Sequence, residues 1–92
     1  MPYIDPIARI YLAQGGKPRN KGELNYAVTM LVIDYITRRV MSYAVLSDAR
    51  AALQDANDEL YRRLIAPYED TKAALNGDVF AALVLRTDDE KP

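Results

Sequence analysis

The stretch "ELYRRLIAPYEDTKAAL", residues 59–75, decides the fold. Upstream of it and running into it, Leu46, Ala49, Leu53, Ala56 and Leu60 alternate three and four residues apart. That alternation predicts a near-heptad apolar seam on a helix packed against an antiparallel neighbour. The pattern continues through Pro67 to Leu75, where Asn76 and Gly77 form a stop signal. Pro67 is the obstacle, because it lacks an amide donor and its ring collides with the carbonyl of Arg63. Ala66 is a poor cap, so the spacing predicts one helix kinked at Pro67 and not two separate helices. The kink is expected to wrap the helix end around the first helix or a neighbouring subunit.

Working outward, "GELNYAVTMLVIDYITRRV" (residues 22–40) repeats Leu24, Ala27, Val28, Leu31, Val32 and Tyr35 at helical spacing. Tyr26, Met30 and Ile33 add a second apolar stripe, and Asn25, Thr29, Asp34 and Arg38 leave a narrow polar strip. Such a helix is expected to be buried on more than one side. Asn20 with Glu23 three residues on is a capping-box pattern, and Arg38 and Arg39 suit the dipole at the other end. "VMSY" is a short connection, with Ser42 or Ser47 as the next cap. Before the long helix, "GGKPRNKG" reads as a loop. "IDPIARIYLAQ" reads as a short helix over about residues 5–14, with Asp5 as cap and Pro6 at the first helical position. Downstream, the apolar segment 79–85 precedes a charged tail, 86–92. It is expected to dock on the core or on another chain, for instance as an edge strand.

Bulk composition narrows the chemistry. The 92 residues predict a single domain, residues 1–92, that buries roughly 60–65% of its unfolded surface. Half the residues are apolar, too many for a disordered chain, and oligomerisation is an economical way to bury the excess. The net charge of −1 gives no support to nucleic-acid binding or polybasic membrane recruitment. With no Cys there is no disulfide, thiol nucleophile or thiolate metal site, and with no His the triads built on it are excluded. No apolar run reaches transmembrane length, and "MPYIDPIARI" lacks the pattern of a signal peptide. The expected location is the cytoplasm, or the host cytoplasm if the protein is phage-encoded.

"GELNYAVTMLVIDYI", "SYAVLSDARAAL" and "ELYRRLIAPYEDTKAALNGDVF" together resemble an uncharacterised family of short bacterial and phage proteins. The shared pattern is Gly-x-Leu-Asn-Tyr, then Tyr-Arg-Arg, Pro-Tyr-Glu-Asp and a closing Asn-Gly-Asp-Val-aromatic, covering roughly residues 22–80. The tail from Ala81 departs from it. The resemblance implies no activity and carries over no catalytic residue. A looser likeness in architecture is to phage proteins that sequester cyclic-nucleotide immune messengers as oligomers and are not enzymes.

Two clusters are candidate site residues. Arg62 and Arg63 follow Asp58 and Glu59 at the favourable helical spacing for ion pairs, which predicts a salt-bridged, solvated face. The alternative is an arginine fork for a phosphate or a partner carboxylate. Tyr61 and Tyr68, seven apart, are expected to share a face, either as a packed seam or as a stacking platform for a base. In an antiparallel hairpin turning near Met41, Gly22 lies opposite Arg62. The N-terminus of the second helix, a ready anion site, then approaches the arginines. The loop before it carries Lys17, Arg19 and Lys21. Lys17, Arg19, Lys21, Asn25, Tyr26, Tyr61, Arg62, Arg63 and Tyr68 are thus the candidate ligand-binding set. The competing reading is a basic loop over a packed tyrosine cluster. Asp55, Asp58, Glu59, Glu69 and Asp70 raise magnesium-dependent nucleotide hydrolysis, but ion pairs already account for them.

The sequence therefore predicts an all-α fold: a short N-terminal helix and a long antiparallel helical hairpin, the last helix kinked at Pro67, in a homo-oligomer. The leading expectation is a non-catalytic protein that binds a small anionic ligand such as a cyclic nucleotide, without cofactor, metal, nucleic acid or membrane. The alternative is a protein–protein interaction or inhibitor module, and the third is a magnesium-dependent hydrolase.

Overall fold

Helix boundaries in the computed structural model, which describes residues 1–83, coincide with local capping chemistry. Helix α1 spans Pro6–Ala13. The Asp5 carboxylate accepts from the Ile7 amide at 2.8 Å, and Pro6 sits in the first turn, where its missing amide costs nothing. Helix α2, Lys21–Thr37, starts at Asn20, whose Oδ1 accepts from the Glu23 amide at 2.9 Å. Helix α3, Tyr43–Leu60, follows Ser42, whose Oγ accepts from the Val45 amide at 3.2 Å. Ser42 is therefore the cap, and Ser47 is not. Helix α4, Ala66–Asn76, stops at Gly77, where φ is 95°, a conformation open to glycine at little cost.

Between α3 and α4 lies a π turn, Tyr61–Ile65, in which the Ala66 amide bonds to the Tyr61 carbonyl five residues back. A π turn is an α turn widened by one residue. It lies immediately before the proline, which sits in the first turn of α4. Here Pro67 has no amide to give and its ring needs room, so a wide turn ahead of it is the local solution. The helical backbone is continuous from Tyr43 to Asn76, as the sequence predicts, with this π turn as its irregularity.

The chain forms two compact units, Met1–Ala52 and Leu53–Pro92. In the first, α1 packs on α2. The predicted antiparallel pairing of α2 with α3 is not among the packed helix pairs of this unit. The segment after α2 explains part of this. Arg38 Nε donates to Asp34 Oδ2 at 2.9 Å, and Arg39 Nη1 donates to the Tyr35 carbonyl at 2.6 Å. The Arg39 guanidinium also lies 3.5 Å from the centre of the Tyr35 ring. Both arginines fold back on α2, so this segment closes the end of α2. Burial is correspondingly sparse. Ala49, 8% exposed, is the one buried apolar residue among the described residues. The expectation that α2 is buried on more than one side is not met within the chain. Leu24, Leu31 and Ile33 remain exposed, because the eight residues of α1 cover only part of its circumference.

In the second unit, residues 79–80 form a turn and 81–83 are helical, where an edge strand was one expectation. Asp78 Oδ1 accepts from the Phe80 amide at 2.8 Å, and the Ala81 amide donates to the Asp78 carbonyl at 3.2 Å. Asp78 thus starts a helical turn at 81–83, and no strand occurs among the described residues. The rest of the apolar segment and the charged tail lie outside the described residues. Among the described residues, no helix is long and apolar enough to cross a membrane.

Candidate functional site

The loop between α1 and α2 is built around Tyr11. Its hydroxyl donates to the Lys17 carbonyl at 2.9 Å, and its carbonyl accepts from the Gly16 amide at 2.9 Å. Gly16 lies flat against the ring, since a Cβ there would come within 2.5 Å of it. On Tyr11 stacks the guanidinium of Arg19, 4.0 Å from the ring centre. Arg19 in turn grips Glu23 with both Nε, at 2.9 Å, and Nη2, at 2.8 Å, and its amide donates to the same carboxylate at 3.0 Å.

Glu23 is 5% exposed, a buried carboxylate with three donors. Hydrogen bonding to Arg19 holds its carboxyl below the usual carboxylate range, against the opposing effect of desolvation. The expected capping box is therefore half-formed. Asn20 caps Glu23, but Glu23 reaches back to the amide of Arg19, one residue before the cap. Consequently Arg19, one of the predicted anion ligands, already has its anion.

The other predicted ligands have varied surroundings. Lys17 and Lys21 are exposed and have no ion-pair partner among the described residues. Asn25 Oδ1 accepts from the Thr29 hydroxyl at 3.2 Å. Tyr26 lies under the Arg9 guanidinium at 5.7 Å, and Arg9 is itself held by the Ile4 carbonyl at 3.0 Å. A groove of about 210 Å³ between α1 and α2 is lined by Leu12, Ala13, Gly16, Tyr26, Ala27 and Met30. These walls are mainly apolar and carry no cationic side chain for a phosphate.

Tyr61, Arg62, Arg63 and Tyr68 belong to the second unit. Arg62 Nη2 bonds to both oxygens of Glu59 at 2.9 and 3.0 Å, in place of the predicted pairing with Asp58. The π turn opens at Tyr61 and changes the four-residue spacing on which that prediction rests. Arg63 consequently has no ion-pair partner among the described residues. Tyr61 and Tyr68 no longer share a face. The extra residue brings Glu69 to Tyr61, and hydrogen bonding to that carboxylate raises the Tyr61 hydroxyl above its ordinary range. Tyr68 instead carries the Lys72 ammonium, 5.7 Å from its ring centre. Among the described residues, no three carboxylates gather closely enough to hold a metal ion.

Sequence reasoning missed Tyr11 and Arg9 as organising residues, and it took Glu23 for a capping-box residue without its pairing to Arg19. For Tyr11 and Glu23 a signal existed: paired glycines after an aromatic residue, and an Arg–Glu pair four apart straddling the cap.

The chain belongs to the family described as a domain of unknown function (DUF6899), whose match covers residues 1–79. The match includes α1 and the Tyr11 loop as well as the segments on which the resemblance rests, and it stops just short of Phe80. No curated protein and no solved structure matches the chain.

Proposed function

We propose that this chain is a non-catalytic, self-assembling helical module, whose exposed apolar side chains are covered by further copies of itself. The observation that carries this reading is how little apolar surface is buried, with Ala49 the one buried apolar side chain among the described residues. Its scale can be stated. A chain of 10.3 kDa folded to the usual degree exposes roughly 5,400 Å². This chain exposes 8074 Å². Giving the residues beyond 83 the whole unfolded-chain allowance of roughly 1,500 Å² still leaves an excess of roughly 1,200 Å². Obligate interfaces bury roughly 1,000–2,500 Å² per partner, so the excess is of that class.

The test is thermal unfolding over a hundredfold range of protein concentration. If assembly completes the core, Tm rises with concentration. A cooperative transition with a constant Tm over that range contradicts the proposal.

Anion binding is the second reading. Lys17 and Lys21, in the loop and first turn before α2, favour it, being exposed cations without an ion-pair partner among the described residues. A ligand present at a hundred times its Kd adds about 2.7 kcal/mol of stability. Melting curves with inorganic phosphate, nucleotides and cyclic dinucleotides therefore test it, and no shift with any of them removes it.

A further inference from the structure

The π turn has a consequence for the apolar seam. Within the second unit the seam begins at Leu53, Ala56 and Leu60, spaced three and four apart. A strict heptad would place Arg63 next, yet the following apolar residue is Leu64, one position late. One extra residue is what a π turn accommodates, and the turn occupies Tyr61–Ile65. Beyond it, Tyr68 and Leu75 follow at four and seven residues. The wide turn thus keeps Leu53, Ala56, Leu60, Leu64, Tyr68 and Leu75 on one continuous stripe past the proline. That stripe is open: Leu53 is 42% exposed, Leu60 50%, Leu64 65% and Leu75 73%.

Charge is arranged about the middle of the same stripe. Asp55, Asp58 and Glu59 precede Leu60, and Arg62 and Arg63 follow it. Glu59 and Arg62 are paired with each other within the chain. Asp55, Asp58 and Arg63 have no ion-pair partner among the described residues. A parallel copy would set acid against acid. An antiparallel copy, related by a two-fold axis near Leu60, sets each acidic stretch against the other chain's arginines.

We infer that the stripe Leu53–Leu75, brought into register by the π turn, is an antiparallel homodimer surface with its two-fold axis near Leu60. This rests on the self-assembly reading above and names the surface that serves it. The small Ala56 faces a large side chain across the axis, and Asp58 on one chain meets Arg63 on the other. The two-fold makes the contact isologous and closed, so this surface by itself gives a dimer and not a filament.

The chain contains no cysteine, so single-cysteine variants report the geometry without background. A disulfide requires Cα atoms within about 7 Å. Under mild oxidation of the full chain, Leu60→Cys is expected to become covalent dimer as the main species, and Leu75→Cys to remain reduced. Mixing Ala56→Cys chains with Leu64→Cys chains, the two positions that face each other about an axis at Leu60, is expected to yield the mixed dimer in excess of either self-dimer. This second measurement decides the matter if Leu60→Cys loses its helical circular dichroism. Cross-linking of Leu75→Cys as efficient as that of Leu60→Cys would mean a parallel pair and overturn the inference. A wild-type dimer mass with no cross-link at Leu60→Cys and no mixed dimer overturns this surface but leaves self-assembly standing. A monomer mass overturns both.

Discussion

The hydroxyl of Tyr61 faces the carboxylate of Glu69, eight residues further along the chain. In an unbroken α-helix, positions eight apart diverge by about 80° around the axis. The π turn between them takes up one residue and brings them onto one face. The pair is therefore a reporter of the turn. The Tyr61 hydroxyl is held above the ordinary tyrosine value of 10.0, chiefly because it donates a hydrogen bond to the Glu69 carboxylate. Its raised value contributes stability that is present below about pH 10 and is lost as pH rises through the Tyr61 value. Glu69→Gln is expected to return this one of the seven tyrosines towards its ordinary titration, followed by ultraviolet absorbance. An unchanged titration curve would show that the two residues do not interact.

Pro67→Ala separates intrinsic helix preference from register. Alanine is the better helix former by about 3 kcal/mol in a helix interior, less in a first turn. It also removes the reason for the wide turn, so the seam beyond Leu60 is expected to rotate out of line. The expected outcome is a more helical chain that assembles more weakly, seen as a higher dissociation constant in sedimentation equilibrium. Tighter assembly would mean that the proline is only a tolerated defect.

Much of this local structure is legible in the sequence, because capping is a contest among neighbours. Asp5, Asn20, Ser42 and Gly77 each act within a few residues, and each does what its side chain or backbone freedom suggests. The helix through Pro67 is legible for the same reason. The π turn is written there as well, in the one-residue delay between Leu60 and Leu64, but it shows only when the heptad is counted strictly. What α2 packs on is less legible: α1 takes one side of it, and Arg38 and Arg39 fold back on Asp34 and Tyr35, partnerships that apolar spacing does not announce. At Arg19 a basic loop looks available until its partner is located, and Glu23, four residues away, holds it.

Glu23 fastens the loop, and its ionisation should be felt in stability. Its folded value lies below the ordinary 4.5, so the stabilisation is fully present above that pH and is lost as pH falls through the lowered value. Glu23→Gln keeps the shape and removes the charge. It is expected to flatten this part of the acid dependence and to speed hydrogen exchange at the Arg19 amide, which donates to the carboxylate. Unchanged exchange at Arg19 would contradict the fastening role.

Gly16 is required by contact, since its missing Cβ leaves the space that the Tyr11 ring fills. Gly16→Ala is expected to cost about 1–3 kcal/mol in chemical denaturation, the usual range for overpacking. It should also displace Tyr11 and release Arg19 from its stack. A cost below about 0.5 kcal/mol would mean that the ring moves aside freely.

The central claim is that a second copy supplies the core this chain lacks. Light scattering on the purified 92-residue chain at micromolar concentration tests it most directly. The account predicts a mass of at least twice 10.3 kDa, falling on dilution only as helicity falls with it. A stable, helical species at 10.3 kDa would contradict it.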